Sequence, residues 1–140
     1  MTFEPLYTAV ATAKSGRDGH VHSSDNVIDI DTSVPKSMGG PGKAGATNPE
    51  QLFACGYSAC FAGAMKFVAS QQKLQIKDPE VTAHVTFGKV SDGFGLAVEL
   101  QAHVPDLDHA QTEKLVHEAH QFCPYSRATR NNIEVKLSVI

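Results

Sequence analysis

The chain has 140 residues, a mass of 15.0 kDa, 12 basic and 15 acidic side chains and a formal charge of −3. That length suits one domain, residues 1–140, able to bury roughly two-thirds of its unfolded surface without staples. A hydrophobic content of 41% excludes wholesale disorder, and a pI near 6.1 leaves no basic excess for binding nucleic acid through its phosphates.

Residues 6–14 (LYTAVATAK) are rich in β-branched and aromatic types and predict a strand. Gly16-Arg17-Asp18-Gly19 predicts a turn, His20 to Ser23 a returning strand, and Val27 to Asp31 a third short strand. Residues 33–47 hold four glycines and two prolines and read as a long loop, a type that often carries function. A helix is expected from Pro49 to Gln72. Asn48 suits its N-cap, Pro49 its first position, and Gln51 a capping-box return. Its text, EQLFACGYSACFAGAMKFVASQQ, is apolar nearly all round, which predicts burial on several sides, with sheet on one and another chain on the other. Val81, Ala83, Val85 and Phe87 then alternate, Ser91-Asp92-Gly93 turns, and Phe94 to Val104 alternates again, predicting a β-hairpin. Asp108 can cap a second helix with Leu115, Ala119 and Phe122 on one face, and Pro124 closes it or starts a further turn. Ile133 to Val139 makes a last strand. The order is α+β, with largely antiparallel sheet and packed helices.

No apolar run approaches the ~18 residues of a membrane span, and Met1 to Val10, with Glu4 and Pro5, is not a secretory signal. A cytoplasmic protein without membrane or nucleic-acid partners is expected. Three cysteines are too few for a disulfide scaffold, and in that compartment they point to catalysis or metal binding. Cys55 and Cys60 lie five apart on the predicted helix, about 7.5 Å and 140° from each other, so they cannot bridge. The ordinary reading of Cys55 is a small buried hydrophobe. A mid-helix, apolar Cys60 thiol would be inert unless a cation favoured its thiolate. Arg17 can supply that cation, since a guanidinium stays charged and offers a fork of donors. Glu50 can hold the arginine in a bidentate pair, although a surface turn residue and a first-turn carboxylate are the plainer readings of the two. Cys123 lies where a helix ends and a new turn begins, a place that favours thiolate.

The stretch Asn48 to Phe61 (NPEQLFACGYSACF) resembles the first signature of the organic hydroperoxide resistance proteins, the Ohr branch of the Ohr/OsmC family. Cys123 to Asn131 (CPYSRATRN) resembles the second, and Gly16 to Val21 (GRDGHV) a third. The resemblance covers essentially the whole chain. It implies an OsmC-like fold assembled as an intertwined homodimer, with a long buried central helix and a second helix. It implies a metal-free, cofactor-free thiol peroxidase that reduces alkyl and lipid hydroperoxides in oxidative defence. Cys60 matches the peroxidatic cysteine, Cys123 the resolving cysteine, and Arg17 and Glu50 the pair that activates the thiolate. It also implies a dithiol reductant, a lipoylated protein or dihydrolipoamide rather than thioredoxin. Two positions depart from the pattern. Cys55 stands where alanine is common and Arg127 where asparagine is common, and neither removes a catalytic group.

Glu50 and Cys60 are ten residues apart, roughly 15 Å along one helix, so an Arg17 spanning both within one chain would be stretched. The expectation is that the Arg17–Glu50 pair of a given site comes from the partner subunit. Phe53, Phe61, Phe67 and Met38 are candidates for a pocket for lipid-like peroxides, with plain core as the ordinary reading. Two other signals fall away. The seven histidines lack paired metal-ligand spacing, and Gly39-Gly40-Pro41-Gly42-Lys43 lacks the first glycine and the final Ser or Thr of a phosphate loop. The alternatives to an Ohr-type enzyme are a general OsmC-type peroxidase with other substrates and a non-catalytic thiol redox sensor.

Overall fold

A computed structural model describes residues 2–140. Its packing divides into two compact units, one ending at Pro49 and the other Glu50–Ile140.

The first unit is a three-stranded antiparallel sheet of β1 (Ala11–Lys14), β2 (His20–Ser23) and β3 (Asp29–Asp31), in the order β1-β2-β3. The first strand is shorter than its composition predicts. β2 offers four residues, pairing Ala11 with Ser23 through Lys14 with His20, and among the described residues no strand pairs with residues 6–9. Ser15 and Gly16 take left-handed φ of 64° and 63°, which turns the chain between β1 and β2. A Cβ at Gly19 would lie 2.0 Å from the Lys14 carbonyl oxygen, so the turn closes only around a glycine. β3 likewise starts later than predicted, because Asp25 and Ser23 side chains cap a local turn over Asn26 to Ile28. The long loop carries one short 3₁₀ turn, Lys36–Met38. The buried residues described in this unit are Thr32, Ser33 and Thr47, all hydroxyl-bearing. Phe3, Leu6 and Tyr7 are 88%, 92% and 84% exposed.

Helix α1 (Pro49–Gln71) begins at the proline whose fixed φ and missing N–H suit a first helical position, and from Glu50 onward it belongs to the second unit. Tyr57, Phe61, Ala64, Met65 and Ala69 form its buried stripe, while Cys55, Ala59, Gly63 and Phe67 are exposed within the single chain. By length and composition α1 could cross a membrane, a feature that a search for uninterrupted apolar runs does not register. A core helix meets the same criteria, and the α1 stripe packs into the core of this unit. β4 (Glu80–Val90) and β5 (Gly93–His103) form the expected hairpin, paired from Glu80–His103 to Val90–Gly93. Val98, Leu100 and Ala102 alternate inward from β5. Helix α2 (His109–Phe122) begins with a full capping box. The Asp108 carboxylate accepts the Gln111 N–H at 2.8 Å, and the Gln111 side chain accepts the Asp108 N–H. Leu115, Val116 and Ala119 are buried, but Phe122 is 48% exposed and stacks on Phe67 instead of entering the core.

Pro124 both ends α2 and starts α3 (Pro124–Thr129). A residue before proline is driven out of helical geometry, and Cys123 has φ −61° and ψ 127°. Its N–H closes α2 on the Ala119 carbonyl, and its carbonyl accepts the Arg127 N–H that opens α3. β6 (Val135–Val139) then pairs parallel with β5, Val98 with Val135 to Ala102 with Val139, the α2–α3 crossover supplying the return that a parallel neighbour requires.

Candidate active site

The α2–α3 corner places the Cys123 sulfur against α1. The Cys123 thiol donates to the Cys60 sulfur at 3.5 Å, well beyond the roughly 2.05 Å of a disulfide, so the pair is two thiols in contact. Cys123 is fully buried, and Cys60 is half-buried and reachable. Burial pushes the Cys60 thiol above its ordinary pKa. The Tyr125 backbone N–H, donated to the sulfur, opposes that rise, and neighbouring Cys123 adds to it. Left to these groups Cys60 is a poor nucleophile at neutral pH, which is the situation in which a nearby cation matters. Cys55 is exposed, not the buried hydrophobe its composition predicts, because it faces away from the stripe carrying Tyr57 and Phe61.

Around the pair lies a buried polar network that sequence reasoning missed. The Tyr57 hydroxyl meets the Ser126 hydroxyl at 2.8 Å and the Thr129 hydroxyl at 3.1 Å. Ser126 also meets His120 Nδ1 at 2.8 Å, and Arg130 donates to the His120 carbonyl. Burial is the main cause of a lowered His120 pKa, with the charges of Arg130 and His117 adding to it. A neutral imidazole can accept at Nδ1 from Ser126, whose oxygen then accepts from Tyr57. Tyr57 is three residues before Cys60 and Ser126 three after Cys123, so the network fastens together the elements that carry the two sulfurs. Its only signal in the sequence is a set of hydroxyl residues that equally suit a surface.

Tyr125 performs two tasks. Its ring lies over Gly56, where a Cβ would come within 2.8 Å of the Tyr125 hydroxyl oxygen. The same ring, with Phe53, Leu96, Ala128 and Ile133, lines an apolar cavity of about 270 Å³. Of the aromatic residues named for a pocket, Phe53 lines this cavity, Phe61 is wholly buried core, and Phe67 stacks on Phe122. Met38 belongs to the loop of the first unit.

Arg17 occupies the turn between β1 and β2 in the first unit, and Glu50 the first turn of α1. Because α1 is unbroken from Pro49 to Gln71, Glu50 stays roughly 15 Å along the axis from Cys60 of its own chain. Among the described residues, no group of three His, Cys, Asp or Glu side chains is placed to hold a metal ion.

This architecture, with a long cysteine-bearing helix against a three-stranded sheet and a second cysteine at a helix–proline corner, is that of the OsmC-like proteins. The OsmC-like family model matches residues 40–138, and the chain belongs to that family. Within it, the organic hydroperoxide resistance protein of Xanthomonas axonopodis pv. citri is 52% identical over 135 residues, covering 96% of this chain and 94% of the relative. Organic hydroperoxide resistance protein OhrB of Bacillus subtilis is 48% identical over 136 residues, covering 96% and 98%. The crystal structure of that OhrB superposes with a TM-score of 0.90 at 45% identity, covering 97% of this chain and all of the other.

Proposed function

We propose that this protein is a cysteine-based peroxidase that reduces organic hydroperoxides to alcohols in defence against oxidative stress. The observation that carries the reading is the Cys60–Cys123 sulfur contact of 3.5 Å, in a chain whose relatives are named for organic hydroperoxide resistance.

The Cys60 thiolate attacks the distal oxygen of ROOH. An S–O bond forms, the O–O bond breaks, and the alkoxide leaves as ROH after taking a proton. The resulting Cys60 sulfenic acid is attacked by the Cys123 sulfur, water departs, and a Cys60–Cys123 disulfide remains. An external dithiol supplies the two electrons and two protons that restore both thiols by exchange, and we assign this step to a lipoylated protein or dihydrolipoamide. Arg17 stabilises the thiolate and the incoming peroxide, offsetting the upward pressure that burial puts on the Cys60 pKa, and Glu50 orients the guanidinium. The apolar cavity under Tyr125 suits the alkyl part of the substrate.

The protein acts as a homodimer in the cytoplasm, with residues 1–140 of each copy as one peroxidase domain. Support for a second copy comes from the uncovered Phe3, Leu6 and Tyr7 and from the exposed side of α1. The spacing of Glu50 and Cys60 on an unbroken helix supports an Arg17–Glu50 pair contributed by the partner subunit.

The test is a thiol count on reduced protein treated with cumene hydroperoxide. Loss of two thiols per chain, abolished in Cys60→Ser, is expected, and an unchanged count rejects the enzyme in favour of a non-catalytic role. Turnover compared with dihydrolipoamide and thioredoxin identifies the reductant.

A further inference from the structure

The Thr32 side chain holds both ends of the turn that carries Arg17. The Thr32 hydroxyl donates to the Gly16 carbonyl at 2.8 Å, which belongs to the peptide joining Gly16 to Arg17. The same oxygen accepts the Gly19 N–H at 2.8 Å, from the peptide that follows Asp18. The Thr32 N–H donates to the Gly19 carbonyl at 2.8 Å, and the Asp18 carboxylate accepts the Val34 N–H at 2.8 Å. Arg17 is therefore bracketed on both sides by bonds to residues 32–34. On the opposite edge, residues 31 and 33 bridge Thr47, since the Thr47 N–H donates to the Asp31 carbonyl and the Ser33 N–H to the Thr47 carbonyl. One short segment thus fastens both the Arg17 turn and the stretch leading into α1.

Thr32 is 7% exposed, in a unit whose described buried residues are all hydroxyl-bearing. A residue needed there only to fill space could be valine. A hydroxyl that gives one hydrogen bond and takes another at the same turn is a tether, and its loss frees the Gly16 carbonyl and the Gly19 N–H that fix the two ends of the Arg17 turn.

We propose that Thr32 is a positioning residue for the peroxidase reaction, holding the Arg17 guanidinium where it meets the Cys60 thiolate and the incoming peroxide. This rests on the reading of Arg17 given above. A displacement of about 1 Å in a group that orients reactants can cost on the order of a hundredfold in rate.

The experiment follows oxidation of reduced protein by cumene hydroperoxide in a stopped-flow instrument, together with the pH dependence of Cys60 alkylation. Thr32→Val is expected to slow oxidation by roughly ten- to a hundredfold and to move the alkylation midpoint upward. Thr32→Ser, which keeps the hydroxyl, is expected to stay within about twofold of wild type. Because Thr32 acts through Arg17, the double variant Arg17→Ala/Thr32→Val should be no slower than Arg17→Ala alone. Thr32→Val at the wild-type rate beside a slow Arg17→Ala overturns the proposal, and so do additive effects in the double variant. A wild-type rate in Arg17→Ala is a separate result, which overturns the reading of Arg17 and the proposal with it. If Thr32→Val does not fold, the exposed Asp18→Ala removes only the Val34 bond. It should slow oxidation several-fold, and a wild-type rate there overturns the proposal.

Discussion

Ser126 is the hub of the polar network behind the two sulfurs, and replacing it with alanine has a calculable cost. Its hydroxyl is wholly buried and makes two bonds of 2.8 Å, to Tyr57 and to His120 Nδ1. Tyr57 keeps the Thr129 hydroxyl at 3.1 Å, whereas His120 Nδ1 has Ser126 as its one hydrogen-bond partner among the described residues. A fully buried acceptor stripped of its partner costs about 1–3 kcal/mol, and the half-buried His120 nitrogen should cost about 2 kcal/mol. With a urea m-value near 2 kcal/mol/M, the denaturation midpoint should fall by roughly 1 M, leaving a folded protein because total stability is on the order of 5–15 kcal/mol. Tyr57→Phe makes the internal comparison. It removes a hydroxyl and leaves Ser126 bonded to His120 and the Thr129 hydroxyl on the Ser126 carbonyl at 3.2 Å, so it should cost only about 1 kcal/mol. The assay is urea unfolding of the reduced protein by circular dichroism at one fixed protein concentration. A Ser126→Ala midpoint within about 0.2 M of wild type, or a Tyr57→Phe cost equal to it, would refute the view that an orphaned His120 nitrogen dominates.

Gly56→Ala places a carbon 2.8 Å from the Tyr125 hydroxyl oxygen and should displace the residue whose N–H supports the Cys60 thiolate, moving the Cys60 alkylation midpoint to higher pH. Gly63→Ala on the same helix meets nothing within 4 Å and should leave that midpoint alone, so equal shifts in the two would contradict the reasoning. Cys123→Ser should lose one thiol per chain to peroxide and hold a dimedone-reactive sulfenic acid at Cys60, with sulfinic acid following at excess oxidant; mass spectrometry reads all three. His20 is raised above 6.5 by its hydrogen bonds to Asp31 and then Asp29, and Asp31 is lowered to about 2 by Lys43 and then His20. The His20 contribution is present below 6.5 and fades as pH rises through its raised value, while that of Asp31 is present above 3.8 and fades as pH falls toward about 2. The pair therefore supports the small sheet best between those limits, and a proton NMR titration should place His20 above 6.5 and lower it in Asp31→Asn. An unmoved midpoint would dismiss the link.

What could be read from the residues is what the backbone itself dictates. Cys123-Pro124 is an instruction to leave the helix, and the structure obeys it by ending one helix and starting another around that cysteine. Asp108 as a helix cap, the glycines of the Arg17 turn and the alternation of β5 are legible for the same reason, since each is a local rule. The overlong first strand is a different case, because β-propensity describes a willing backbone and says nothing of whether a neighbour exists to pair with it. Phe122 and Cys55 failed because a helical wheel gives relative facing, and the face chosen by the core is decided by residues far away in sequence. Thr32, Ser126 and Thr129 were invisible as anchors, since a threonine or serine reads alike whether it is wet or buried against a carbonyl.

The two sulfurs that touch behind Tyr125 are 63 positions apart in the chain. A bond between them would close a loop of that length, removing much of the freedom of the unfolded ensemble. The chain-entropy relation puts the gain at about 4 kcal/mol, comparable with the whole stability of a small domain. On the peroxidase cycle proposed above, the form that has just consumed a peroxide would then be the sturdier of the two, and the reduced form the more easily unfolded and digested. A cell short of reductant would accumulate the durable species, and one short of oxidant would turn over the fragile one, so the lifetime of the protein would itself follow the redox balance it serves.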